Sequence, residues 1–154
     1  MTLNREFIGR THESCGVYEV SREKIRDYAI ATCDPNPAYL DPAAARSLGY
    51  PDVIAPPSFA FTLFFRFGGW PMFDPAFGKK VQPVCMHRAQ RVMHRRPVHA
   101  GDRLVQRTTV NDICDIGSHE QFIVTHEVAT VDGEPVCTVV NTIVSRGTAV
   151  AAKG

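Results

Sequence analysis

The spacing of apolar residues changes once along the chain and divides it in two. In the first half, Ser21 stands as a helix N-cap before Arg22-Glu23-Lys24. Ile25, Tyr28 and Ala29 follow at i, i+3 and i+4, with the Thr32 methyl at i+7 on the same helical face. Pro35 and Pro37 end that helix, because proline lacks an N–H and clashes with the preceding turn. A second short helix is expected over Pro42–Leu48, with Asp41 as its cap, Pro42 at the first position and Gly49 as its stop. The run Pro57–Phe67 is apolar nearly all round, which predicts a helix wrapped by the rest of the protein. A buried strand is the alternative, but the length of the run and Gly68-Gly69 at its end favour helix. From Gln82 onward the spacing becomes that of strands, over Met86–Arg95, Arg103–Asp112, Gln121–Val131 and Val136–Ser145. Turns separate them at residues 100–102, 116–118 and 132–134, where Asp132-Gly133 suits a tight hairpin. A short strand near Val17–Val20 is expected to extend an edge. One buried helix and four sequential strands predict an α+β fold, an antiparallel sheet wrapped around the helix.

Composition narrows the function classes. A chain of 154 residues fits one domain, expected over 1–147, with residues 148–154 as a flexible C-terminal tail. Seventeen Lys and Arg against 16 Asp and Glu argue against binding nucleic acid by bulk charge. No apolar run reaches the length needed to span a bilayer, and the N-terminus does not read as a signal peptide. The five cysteines are an odd set without a CxxC pair, which suits free thiols in a reducing cytoplasm. Exposed sheet edges favour pairing with a second subunit, so a dimer is expected.

The candidate chemistry starts at Cys33-Asp34-Pro35-Asn36-Pro37-Ala38-Tyr39-Leu40-Asp41. Read as local structure, this is a rigid turn in which Asp and Asn cap helices. The string also resembles the motif of the MaoC-like (R)-specific enoyl-CoA hydratases and hydroxyacyl dehydratases, roughly G-D-x-N-P-[hydrophobic]-H-x-D. Asp34, Asn36, Pro37 and Asp41 match it in order and spacing. Val53-Ile54-Ala55-Pro56-Pro57-Ser58-Phe59 is similar to the segment that opens the central helix in the N-terminal-type MaoC subfamily. Arg96-Pro97-Val98-His99-Ala100-Gly101-Asp102-Arg103-Leu104 is similar to its R-P-V-x-x-G-D-x-L segment. The resemblance covers about residues 7–147, and the three motifs fall in the family's order. The resemblance implies a hotdog fold, with a long central helix in a curved antiparallel sheet, and activity on acyl thioesters of CoA or acyl carrier protein (ACP). It calls for no cofactor.

Tyr39 stands where the hydratases carry a catalytic histidine. In that family an aspartate and the histidine hold a water and act as acid and base. A histidine titrating near pH ~6.5 suits this, whereas a tyrosine near ~10 stays protonated and is a poor base. The resemblance therefore implies either a hydratase working through Asp34, Asn36 and Tyr39, or a noncatalytic subunit. The second kind, as in mycobacterial (3R)-hydroxyacyl-ACP dehydratases, binds the acyl chain and pairs with a catalytic MaoC-like partner. A hotdog thioesterase would share the fold without explaining the D-P-N-P string. Homodimer and heterodimer both remain open.

His87, beginning the first long strand, is the best stand-in acid or base. His94 lies an odd number of residues away, so on a regular strand the two face opposite sides. Pro57, Ser58, Gln90 and Arg91 are expected to meet substrate, and the cluster Arg88, Arg91, His94, Arg95, Arg96 offers charge for CoA phosphates or an acidic carrier protein. The histidines lack the spacing of metal ligands, so no metal is expected.

Overall fold

The computed structural model describes residues 2–78 and 84–147. The onset of the strand pattern at Gln82 and the expected tail at 148–154 lie outside these. The strands are β1 (Thr11–Glu13), β2 (Tyr18–Glu19), β3 (Cys85–His94), β4 (Arg103–Ile116), β5 (His119–Thr130) and β6 (Pro135–Ser145). The helices are α1 (Arg22–Ala31), α2 (Pro37–Leu40), α3 (Pro42–Ser47) and α4 (Ala60–Arg66), the last preceded by a 3-10 turn at Pro57–Phe59. All strands join one antiparallel sheet in the order β1-β4-β5-β6-β3, with β2 beside β1 on β4.

Alternation on the long strands creates the core. Leu104 and Val110 on β4, Phe122, Val124 and Val128 on β5, and Val139 and Ile143 on β6 turn inward and are buried. One cluster packs this face against Ile25 and Ala29 of α1, Tyr39 of α2, and Phe59, Ala60 and Leu63. The other packs Phe122 and Val110 against Phe64, Phe77 and the N-terminal residues Leu3 and Phe7. Glu120, fully buried at the far end of β5, anchors that N-terminal segment. It accepts the Leu3 N–H at 2.8 Å and pairs with Arg5 at 3.2 Å.

The central helix differs from expectation. It is short, seven residues plus the 3-10 turn, and the sheet wraps only one side of it. Ala60, Leu63 and Phe64 are buried, Phe61 is half-buried and Phe65 is exposed. An apolar sequence all round therefore does not mean burial all round here.

Candidate functional site

The three motifs meet through backbone hydrogen bonds. The Ile54 N–H donates to the Ala38 carbonyl at 3.1 Å, joining the second motif to the first. Ala55 N–H donates to the Val98 carbonyl at 2.7 Å and Ala100 N–H to Val53 at 2.9 Å, joining the second to the third. A bidentate contact from Arg22 to Asp52, at 2.8 and 2.6 Å, ties α1 to the same point.

Within the first motif most polar groups are engaged in shaping the turn. Cys33 adopts a left-handed conformation at φ 55°, and the Asp34 N–H returns to the Ala29 carbonyl at 2.9 Å to close α1. Asn36 Oδ1 caps α2 by accepting the Ala38 N–H at 3.0 Å, and Asp41 Oδ1 caps α3 through Ala43 N–H at 2.8 Å. The capping role open to Asn36 in the sequence is thus the one its oxygen fills, and the same is true of Asp41. Asp34 is half-buried.

Tyr39 is only 8% exposed and belongs to the core. Burial, reinforced by the Asp34 and Tyr50 charges, raises its phenol above the ordinary tyrosine range. At neutral pH the group is a phenol, able to donate a hydrogen bond and unable to take a proton. It borders a cleft of about 460 Å³ with Arg22, Arg26 and Leu40.

The second group of expected residues gathers where α4 begins. Tyr28 O–H lies 3.1 Å from Ser58 Oγ and donates to it, and its ring stands edge-on to Phe59 at 5.4 Å. The Pro57 carbonyl accepts from His94 Nε2–H at 3.0 Å. The His87 ring packs at a tilt against Phe61, ring centroids 4.9 Å apart, and its Nε2–H donates to Asn141 Oδ1 at 3.2 Å. Gln90 Nε2–H donates to the same oxygen at 3.0 Å.

His87 and His94 therefore share the helix-facing side, contrary to the expectation of opposite faces. A β-bulge between His87 and Ala89 inserts Arg88 and reverses the alternation. Gln90 and Arg91 are separated by the same alternation: Gln90 pairs with the inward Asn141, whereas Arg91 lies across from Val140 on the other face. The basic cluster does not act as a unit. Arg88 donates to Gln121 at 2.8 Å, and Arg96 is committed to Asp102 and Glu134.

Four polar residues that the sequence reasoning passed over, or left as plain strand residues, lie under α4. Gln106, Thr108, His126 and Asn141 occupy inward positions on β4, β5 and β6 and are buried. Gln106 Nε2–H donates to Thr108 Oγ1 at 3.1 Å, and Thr108 Oγ1 lies 2.9 Å from His126 Nδ1. Phe64 covers the His126 ring at 5.0 Å. Burial lowers the His126 pKa to about 4, so its ring is neutral at physiological pH. Their sequence signal was a polar residue at an inward step of an otherwise apolar alternation. Among the described residues, no three His, Cys, Asp or Glu side chains gather as a metal site, and no helix is long and apolar enough to cross a membrane.

The family model for the FAS1-like, dehydratase domain region matches residues 6–139. A UPF0336 protein of Saccharopolyspora erythraea is 45% identical over 149 residues, 97% of this chain and 95% of that protein. Among solved structures, a MaoC-like dehydratase superposes with a TM-score of 0.82 and 30% identity, covering 91% of this chain and 42% of that one. The C-terminally truncated HadBC (3R)-hydroxyacyl-ACP dehydratase complex of Mycobacterium tuberculosis superposes at 0.78 with 24% identity, over 90% of this chain and 97% of that one. The hotdog architecture is thus shared with MaoC-like dehydratases, and the chain belongs to the FAS1-like dehydratase-region family as a UPF0336 protein.

Proposed function

We propose that this protein is the acyl-thioester-binding subunit of a hydratase/dehydratase, and that an Asp/His-bearing MaoC-like subunit supplies its base. The observation that carries this reading is the buried phenol of Tyr39 in the histidine position of the motif.

Hydration of a 2-enoyl thioester adds a water oxygen to C3 and a proton to C2. The first event needs a group that takes a proton from water, and the second needs a group that gives one. Asp34, half-buried beside the motif turn, serves to orient a water or a polar substrate group. Tyr39 O–H serves as a donor only. The helix opening at Ser58 and the half-buried Phe61 line the path of the acyl chain, with His87 and Gln90 at its rim.

The edge of the sheet supports a partner. Among the described residues β3 pairs only with β6, and it exposes Met86 and Met93 on the face away from α4. A ten-residue open edge with apolar side chains is a template for a second hotdog subunit. The HadBC complex is a case of two such chains assembled.

Tyr39→His tests the reading. With crotonyl-CoA and longer 2-enoyl-CoAs, wild type alone is expected to give no turnover and Tyr39→His to gain it. Free CoA released by wild type would instead identify a thioesterase.

A further inference from the structure

The polar row beneath α4 has directional character. Thr108 Oγ1 accepts from Gln106 Nε2–H, so its own proton is available for His126 Nδ1 at 2.9 Å. Giving that proton to His126 Nδ1 assigns the neutral ring's own proton to Nε2, pointing away from Thr108. His126 Nε2 has no hydrogen-bond partner, although the residue is 1% exposed. Asn141 is 0% exposed; its Oδ1 takes two donors from His87 and Gln90, while its Nδ2 has none. The β5–β6 register sets His126 opposite Val139 and Asn141 opposite Val124, so the two are diagonal neighbours on one face. Two unpartnered N–H groups thus sit on diagonal neighbours of one face, with Phe64 over the His126 ring. A buried donor left unsatisfied is destabilising, so two of them on a largely apolar face call for an acceptor.

We infer that His126 Nε2–H and Asn141 Nδ2–H form a binding site for an oxygen carried within the acyl chain of the ligand. The inference rests on the acyl-binding reading above and adds a substrate class to it. Both donors are hydrogen-bond donors only at neutral pH, so the site selects a carbonyl, hydroxyl or ether oxygen and offers nothing to a methylene. Phe64 lies six residues beyond Ser58, about 9 Å along a helical path, so with the thioester at the helix opening an oxygen here belongs to the chain interior. Phe61 and His87 mark the way in from the β3 edge, and Asn141 links that rim to the interior.

The test is calorimetric binding of an acyl-CoA series of one length, with a single carbonyl walked along the chain, against the unsubstituted parent. One positional isomer is expected to bind about tenfold more tightly than the parent. His126→Leu should remove that preference while leaving the affinity for the parent within about twofold; Asn141→Leu, which also releases His87 and Gln90, should remove the preference whatever it does to the parent. If the parent binds and no isomer exceeds it, the inference is overturned and the acyl-binding reading stands. If neither parent nor isomers bind, both fall. A preference that persists in both variants also overturns it, as does a crystal structure of the wild-type complex with the two N–H groups on a water and not on the ligand.

Discussion

Arg96 grips Asp102 with two parallel hydrogen bonds, Nη1–H to Oδ2 and Nη2–H to Oδ1, each 2.8 Å long. Asp102 is buried, and its Oδ2 also accepts the His99 backbone N–H at 2.9 Å. On its outer side Arg96 Nε–H reaches Glu134 at 2.9 Å, and that contact holds the Glu134 carboxyl below its usual range. The R-P-V-x-x-G-D segment is therefore a clamp that fixes the turn before β4 and, through Val98 and Ala100, the extended segment leading to α4. Its arginine is spent on structure and is not offered to a CoA phosphate.

Arg96→Met strands the Asp102 carboxylate in the interior. Removing one partner of a buried pair costs roughly 3 kcal/mol. Urea unfolding should show that loss, while a loss under about 1 kcal/mol would place the pair among ordinary surface contacts.

His126 makes stability depend on acid. Its native pKa, about 4, lies below the ordinary 6.5, so the unfolded chain takes up the proton first as pH falls. The contribution is complete above about pH 6.5 and is lost progressively towards pH 4, by roughly 3 kcal/mol in all. The groups against the ring, Phe64 and Thr108, do not titrate in this window. Urea midpoints at pH 7 and 4.5 should differ more for wild type than for His126→Leu. Equal differences would contradict the assignment.

Asp34 and Tyr39 are coupled by charge. Burial is the larger cause of the raised phenol and remains in Asp34→Asn, but the carboxylate's share disappears. Ultraviolet titration of Asp34→Asn should show the Tyr39 phenol ionising at lower pH than in wild type and still above an exposed tyrosine. An unchanged curve would place Asp34 too far away to act on the motif tyrosine.

The β3 edge carries the proposed association. Met86→Lys with Met93→Lys places two charges on its exposed apolar face, which should weaken subunit association about tenfold in sedimentation velocity, with the circular dichroism spectrum unchanged. Association of unchanged strength would move the interface elsewhere.

Much of this was legible in the residues. The long strands follow Val, Ile and Thr alternation, and α1 appears where its cap and apolar face put it, because each depends on neighbours in sequence. β1 escaped notice because three residues, Thr11–Glu13, carry almost no pattern. α2 was hidden as four residues between two prolines. The bulge at Arg88 depends on how β3 meets β6, which no local spacing encodes, and it decides that His87 and His94 share a face. His126 and Asn141 were visible as polar breaks in apolar strands. Their adjacency exists only through the β5–β6 register.

The most direct measurement of the central claim is enoyl-CoA hydration by this chain alone, by a MaoC-like subunit with the intact Asp/His motif from the same cell, and by the two mixed. The account predicts no turnover from this chain alone. It predicts turnover on mixing that exceeds that of the partner alone and falls when Met86 and Met93 are changed to lysine. Turnover by the isolated chain that vanishes in Asp34→Ala would contradict it, because the base would then reside here.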